Sequence, residues 1–248
     1  YGNSVAPLLI SKQGYNKSTF CRSLVPPELQ WGYNDNLVLS EKRQVLQAMC
    51  QSLVINLDEF NQISPQVQQG FLKNIIQLPS VKMKPPYGSH VQEFPRMASF
   101  IATSNMEDIL SDPSGNRRFL GVELTGPINV SQRPNYEQLY AQALSALRAG
   151  EKTYFDAEQT RLIMANNRKF EVISPVDQYF DLYFDLTDDA EQGEYLTAAE
   201  IFQELKSHIG SSLKLNSLIA FGRKLSQMPT IHRKRFNDGM RYLVVRKS

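Results

Sequence analysis

The sequence predicts an α/β protein: residues 1–130 fold around a parallel sheet, 131–190 form a helical region with an acidic connector, and 191–248 form a small basic domain. Three observations carry this. Short apolar runs at 5–10, 53–57, 98–103 and 119–124 alternate with stretches of helical periodicity, the pattern of buried strands covered by helices. Charge is segmented, with 17 basic and 14 acidic residues in 1–170, none and 8 in 171–194, and 10 and 3 in 195–248. Near the end, Asp238-Gly239 separates two β-like runs, which is a strong hairpin signal.

Composition narrows the function classes. With 248 residues, 42% of them hydrophobic and 21% charged, the chain can bury a real core and is not disordered. The net charge of +2 is too balanced for the whole surface to bind a polyanion, so any nucleic-acid site must be local. Cys21, Cys50, His90, His208 and His232 are too few and too scattered for a zinc site or a disulfide framework, which points to the cytoplasm. No apolar run approaches the ~18 residues needed to span a bilayer, so no membrane association is expected.

The elements follow in order. The run 5–10 reads as a strand, 11–16 as a loop and 17–24 as a helix. A helix at 41–50 leads into strand 53–57, which ends at Asp58-Glu59. Pro65 starts a helix with Val67, Phe71, Leu72, Ile75 and Ile76 on one face, and Pro79 closes it. Residues 81–93 read as a hairpin, 98–103 as a strand ending at Ser104-Asn105, and 119–124 as a further strand. Beyond 135 the pattern turns helical, with Leu139, Ala143, Leu144 and Leu147 on one face. The acidic stretch also carries Val176, Tyr179, Phe180 and Tyr183 at helical spacing, so a connector and a wet helix face both stand open. A domain boundary is expected near 190. The tail reads as helix 197–208, helix 213–226 and a hairpin over 230–245, the plan of a winged helix. Cys21, Cys50 and Trp31 read as packing residues.

Gly14, Lys17, Ser18 and Thr19 sit where a strand hands over to a helix, a place where backbone N–H groups and the helix dipole can hold phosphates. Lys17 would reach terminal phosphates and Ser18 a magnesium ion. Ser11 and Asn16 stand at the two glycine positions of the G-x-x-x-x-G-K-[ST] pattern. Asn best tolerates positive φ among non-glycine residues, so Asn16 is expected to keep the loop geometry. Asp58 and Glu59 offer one carboxylate for magnesium and one to polarise an attacking water, and Asn105 can orient that water. Arg117 and Arg118 can neutralise transition-state charge.

The segments Gln13-Gly14-Tyr15-Asn16-Lys17-Ser18-Thr19-Phe20, Asn56-Leu57-Asp58-Glu59-Phe60, Pro86-Tyr87-Gly88, Ile101-Ala102-Thr103-Ser104-Asn105 and Asp112-Pro113-Ser114-Gly115-Asn116-Arg117-Arg118-Phe119 carry a resemblance. Together, over about residues 5–125, they resemble the virulence-associated protein E-like ATPases of phages and mobile elements, related to superfamily 3 helicases within the AAA+ P-loop group. The later part is similar to the C-terminal region of the Bacteroides-type branch. The resemblance implies ATP and Mg2+ as ligands, a Walker A segment at Gln13, Gly14, Tyr15, Asn16, Lys17, Ser18 and Thr19, and a Walker B pair at Asp58 and Glu59. It further implies a sensor at Asn105 and an arginine finger, Arg117 or Arg118, acting between subunits of a homo-oligomeric ring. It also implies that further domains precede residue 1.

DNA is the expected partner, at two places. The 81–93 hairpin carries Lys82, Lys84, Tyr87 and His90, cations interleaved with an aromatic. The tail carries Arg233, Lys234, Arg235 and Arg241 with Arg223, Lys224, Arg246 and Lys247, which either lie along one side and neutralise DNA phosphates or dock on the chain's own acidic stretch. Two functions remain in play: an ATP-driven helicase-like motor, and a DNA-binding module that scaffolds a nucleoprotein complex without turnover.

Overall fold

Strand β1 (Ala6–Ile10) is the second strand from one edge of a five-stranded sheet and pairs in parallel with β6 (Ser99–Ser104) and β7 (Phe119–Glu123). The full order is β2 (Tyr33–Asn34), β3 (Val54–Leu57), β6, β1, β7, and every neighbouring pair is parallel. The computed structural model describes residues 3–85, 88–112, 116–172, 175–209, 218–228, 231–237 and 239–247. The runs read as buried strands are strands, because Leu8, Ile10, Ile55, Leu57, Phe100 and Ala102 have no exposed face to present and pack into one core.

Helix α1 (Lys17–Ser23) follows β1, and α2 (Lys42–Gln51) buries Val45 and Met49 against the sheet. The predicted helix from Pro65 is present as α3 (Pro65–Val67), a π-helical turn (Gln68–Leu72) and α4 (Lys73–Ile75), which together bury Leu72, Ile75 and Ile76. A separate hairpin pairs β4 (Ser80–Met83) with β5 (Gln92–Pro95), as expected for 81–93.

Helices α5 (Tyr136–Arg148) and α6 (Ala157–Asn167) complete the first unit. The expected apolar face of α5 is not core. Leu139, Leu144 and Leu147 are exposed, and the helix is held by the Tyr136 and Tyr140 hydroxyls, which donate to the carbonyls of Ser23 (2.8 Å) and Leu24 (3.0 Å). Trp31 is likewise 67% exposed rather than packed. By contrast α6 clamps β7. The buried Asn167 amide donates to the carbonyls of Asn116 (2.9 Å) and Phe119 (2.6 Å) and accepts from the Gly121 N–H (3.0 Å). Gly121 allows this approach, because a Cβ there would overlap the Phe170 ring.

The chain divides into two compact units at 172/173, not near 190. Phe170 is buried in the core of the first, whereas Phe180 and Phe184 are buried in the core of the second. The acidic stretch is therefore part of a folded unit: α7 (Pro175–Tyr183), β8 (Phe184–Leu186) and β9 (Glu194–Thr197) each turn an apolar residue inward and leave Asp181, Asp185 and Glu194 exposed. Helices α8 (Ala198–Ile209) and α9 (Leu218–Gln227) follow, then β10 (Arg233–Phe236) and β11 (Gly239–Arg246). Thr197 and Glu200 form a reciprocal cap at the start of α8, in which the Thr197 N–H donates to Glu200 Oε2 (2.7 Å) and the Glu200 N–H to Thr197 Oγ1 (3.2 Å). Strand β11 pairs antiparallel with β10 along one edge and with β9 and then β8 along the other. Among the described residues no helix is long and apolar enough to cross a membrane.

Candidate functional site

In a parallel sheet all strands end on the same edge, so β1, β3 and β6 deliver their C-terminal residues side by side. The loop after β1 ends at Lys17, the first residue of α1, while Asp58 and Glu59 follow β3 and Asn105 follows β6. The side chains of Lys17 and Asn105 meet and Asp58 lies close to both Lys17 and Ser18, whereas the exposed Glu59 carboxylate is bonded to Gln62 and not to this cluster. The Lys17 ammonium, 6% exposed, donates to Asn105 Oδ1 (2.9 Å), Ser11 Oγ (2.9 Å) and the carbonyls of Ser11 and Lys12 (3.0 Å each). Burial lowers the Lys17 pKa and the nearby Asp58 carboxylate works against that fall. The Ser18 hydroxyl lies 3.0 Å from each Asp58 oxygen, and the Thr103 hydroxyl donates to Asp58 Oδ1.

The connecting loop has the conformation its residues allow. Gly14 has φ 86° and Asn16 has φ 60°, so Asn16 does occupy the left-handed region expected for it. The Asn16 side chain donates to the Ile128 carbonyl (3.0 Å), and the Ile128 N–H donates back to the Tyr15 carbonyl (3.1 Å), which fixes the loop to the segment after β7. Gln13 and Thr19 are exposed. Cys21 is buried as expected, and burial, aided by the charge of Asp58, pushes its thiol up to about 12, so it is an inert core residue.

Glu59 is strained. Its φ of 51° and ψ of 48° place a non-glycine residue in the left-handed region, which costs on the order of 1 kcal/mol. The buried Phe60 ring, edge-on to Phe119 at 4.8 Å, pins the following turn, and the Gln62 amide donates to the Glu59 carboxylate. Ser104 supports the other side by accepting the Met106 N–H (3.0 Å) and donating to the Met106 carbonyl (2.8 Å), which holds the turn at Asn105.

Arg117 and Arg118 do not join this cluster in the same chain. They precede β7, whose first residue pairs with Ala6 at the start of β1. That puts them at the opposite edge, about 13 Å away along a strand of this length. Arg117 is exposed, whereas Arg118 is half-buried beside Lys73, Asp112 and Asn116, and burial followed by the charge of Arg117 lowers its pKa. A cavity of about 360 Å³ lined by Asn3, Pro79, Pro95, Arg96 and Ser99 shares no residue with the Lys17 cluster, and Arg96 there ties the chain together by donating to the Ile76 carbonyl (2.5 Å).

The virulence-associated protein E-like domain matches residues 3–172, more than half of the chain. The chain belongs to that family. Residues 173–244 match a domain of unknown function described from a B. Theta gene (DUF3874), and the junction between the two matches coincides with the division into units. Solved structures of the NrS-1 C-terminal region are similar: the apo structure of 305–718 has TM-score 0.48 and 15% identity over 98% of this chain and 67% of that one. Two A-form apo structures of the same region give 0.46 and 0.42, at 14% and 13% identity, over 98% of this chain and 66% and 67% of theirs. The chain thus spans about two thirds of their length. No curated protein matches.

In the E-like domain the β4–β5 hairpin presents Lys82, Lys84 and His90 to solvent. Tyr87 lies outside the described residues, as does the side chain of Lys224. The basic residues of the second unit do not lie along one side. Strand alternation puts Arg233 and Arg235 on the face that carries the buried Tyr242, and Lys234 and Arg241 on the other. Arg246 pairs with Glu194 and Glu204 (2.6 Å to the latter), and Lys247 with Asp185 (2.8 Å), so the docking alternative holds for the last two cations. No described acid pairs with Lys234 or Arg235.

Sequence reasoning missed Thr103, Ser104 and Asn167. Thr103 had a signal, since it precedes Ser104-Asn105 at a strand end. Asn167 had none, because its partners lie some 46 to 51 residues away. Among the described residues, no group of three or more His, Cys, Asp or Glu side chains could hold a metal ion.

Proposed function

We propose that the E-like domain is a P-loop NTPase of the AAA+/superfamily 3 helicase type, the ATP-hydrolysing motor core of a phage or mobile-element replication or excision protein that works on DNA in the cytoplasm. The observation that carries this reading is the convergence of Lys17, Ser18, Asp58 and Asn105 from three strand ends on one edge, with direct bonds from Lys17 to Asn105 and from Ser18 to Asp58. Lys17 would exchange its loop carbonyls for β- and γ-phosphate oxygens, and Asn105 would turn to the attacking water. The Ser18 hydroxyl and Asp58 carboxylate suit Mg2+, though they supply only two oxygen ligands, so phosphate and water would complete the shell. The ion would neutralise developing charge on the phosphates. Glu59, next to Asp58 just after β3, would take the proton as the water oxygen bonds to the γ-phosphorus and the bond from that phosphorus to the β–γ bridging oxygen breaks, so that ADP leaves with the bridging oxygen.

Arg117, exposed at the opposite sheet edge, suits a finger supplied by a neighbouring copy in a ring, and the half-buried Arg118 suits a supporting role. The two helices and basic hairpin of the second unit suit a winged helix that neutralises DNA phosphates, with Lys82, Lys84, Tyr87 and His90 as a second contact. A second reading, a DNA-binding module without turnover, is favoured by one observation: Ser11, at a glycine position of the motif, supplies two of the four acceptors around Lys17.

Steady-state ATPase assays at several protein concentrations, with and without single-stranded DNA, separate the two. The motor reading expects turnover that rises more than linearly with protein and is stimulated by DNA. Bound nucleotide with no turnover under any condition supports the module.

A further inference from the structure

The side of the second unit's sheet that points away from its helices is not an ordinary wet face. Residues directly opposite in an antiparallel pair share a side. Lys234 is opposite Arg241, Arg241 is opposite Thr197, and Leu243 is opposite Tyr195, so Lys234, Phe236, Arg241 and Tyr195 point the same way. Their alternates Leu196, Tyr242 and Val244 are buried against the helices.

The four side chains are in contact. The Lys234 Nζ lies 5.8 Å and the Arg241 guanidinium carbon 5.3 Å from the centre of the Phe236 ring, both within cation–π range. The Tyr195 ring leans on Phe236 at 5.4 Å and 59°. Arg241 also donates to the Tyr195 carbonyl (3.4 Å). Phe236 nonetheless keeps 37% of its surface in water, next to the hairpin turn. The ring is thus reachable from solvent with two cations beside it.

A ligand matching this side needs flat apolar rings to stack and regularly spaced negative charge to meet the cations. Those are the properties of single-stranded nucleic acid, whose base faces are open. A duplex offers its phosphates but keeps its base faces inside the stack. We propose that Tyr195, Lys234, Phe236 and Arg241 form a base-stacking platform for single-stranded nucleic acid, an inference that rests on the reading of DNA as the partner and adds which form of it this unit takes.

Fluorescence anisotropy on the full 248-residue chain tests it with three labelled probes of equal phosphate number: oligo-dT of ~15 nucleotides, an abasic strand of the same length and a duplex. Wild type should bind oligo-dT about tenfold more tightly than the abasic strand, and more tightly than the duplex. Phe236→Ala should bring oligo-dT down to the abasic level and leave abasic binding unchanged. Phe236→Leu, which keeps the apolar bulk and removes the ring, should do the same and guards against a folding defect in the first variant. Lys234→Ala should weaken all three probes. An unchanged ratio of oligo-dT to abasic affinity in either Phe236 variant overturns the platform, and so does duplex binding as tight as oligo-dT. Wild type that binds all three equally well overturns the platform and leaves DNA as the partner. Wild type that binds none overturns both.

Discussion

Lys17 and Lys234 are the two lysines that the proposed function sets against phosphate, and their surroundings differ in nearly every physical respect. Lys17 is buried, has its ammonium satisfied by Ser11, Lys12 and Asn105, and has its pKa lowered by that burial. Lys234 is exposed on the edge strand of the second unit's four-stranded sheet and leans on the Phe236 ring. A desolvated ammonium with fixed partners can exchange them for one ligand geometry, and little of its attraction is screened by salt. An exposed one accepts many geometries, and its contribution falls steeply as salt rises. The first arrangement suits chemistry at one atom, and the second suits a sliding polymer.

The largest expected effect lies in the first unit, at the residues proposed to act with Lys17. Glu59→Gln keeps the shape of the side chain and loses its basic oxygen, so hydrolysis should fall by ~10²- to 10⁴-fold while nucleotide affinity stays within about twofold. Equal turnover in both proteins would move the base elsewhere. Arg117→Ala comes next, with lost turnover and near-normal nucleotide affinity in the same variant. Mixed with a Lys17 variant it should recover part of the activity, because each chain then supplies what the other lacks. No recovery at any ratio, in an assembly shown to exchange subunits, would place the finger in the same chain.

In the second unit, Lys234→Glu with Arg235→Glu should weaken DNA binding with little sequence dependence and flatten the slope of log affinity against log salt by about 1, the share of Lys234, because Arg235 lies on the other face of the strand. An unchanged slope would remove both residues from the contact. Thermal stability should hold, since Lys234 and Arg235 lack described acidic partners, unlike Arg246 and Lys247. The smallest effect belongs to Ser11→Ala. Loss of one acceptor from Lys17 should free its ammonium and tighten nucleotide binding by about threefold, in line with the modest net worth of a single hydrogen bond. Weaker binding would mean that the Ser11 hydroxyl itself meets the ligand.

The cluster around Lys17 was more legible in the sequence than the basic unit, for a physical reason. A buried parallel strand emerges where its apolar run gives way to consecutive polar residues, and although Asn56, Thr103 and Ser104 are polar and still buried, Asp58 and Asn105 just beyond them announce the sheet edge on which they sit. Asn16 was legible too, because few residues adopt its backbone angles. The division at 172 was hidden. Residues 171–194 are dense in carboxylates and read as a connector, yet single inward residues such as Phe180, Phe184 and Leu196 suffice to build α7, β8 and β9 into a core. Arg233, Lys234, Arg235 and Arg241 looked like one patch because composition ignores strand alternation. The α5 stripe was read correctly as periodic, but periodicity does not say whether anything covers it.

The central claim, that the Lys17 edge of the sheet holds a nucleoside triphosphate, is tested most directly by titrating wild type and Lys17→Ala with a fluorescent ATP analogue, each with Mg2+ and with a chelator, after thermal unfolding has shown both to be folded. Wild type should bind saturably and more tightly with Mg2+, and Lys17→Ala should lose ~100-fold or more in affinity because β- and γ-phosphate charge is left uncompensated. Equal affinity in the two proteins, or no saturable binding by the folded wild type, would contradict the account.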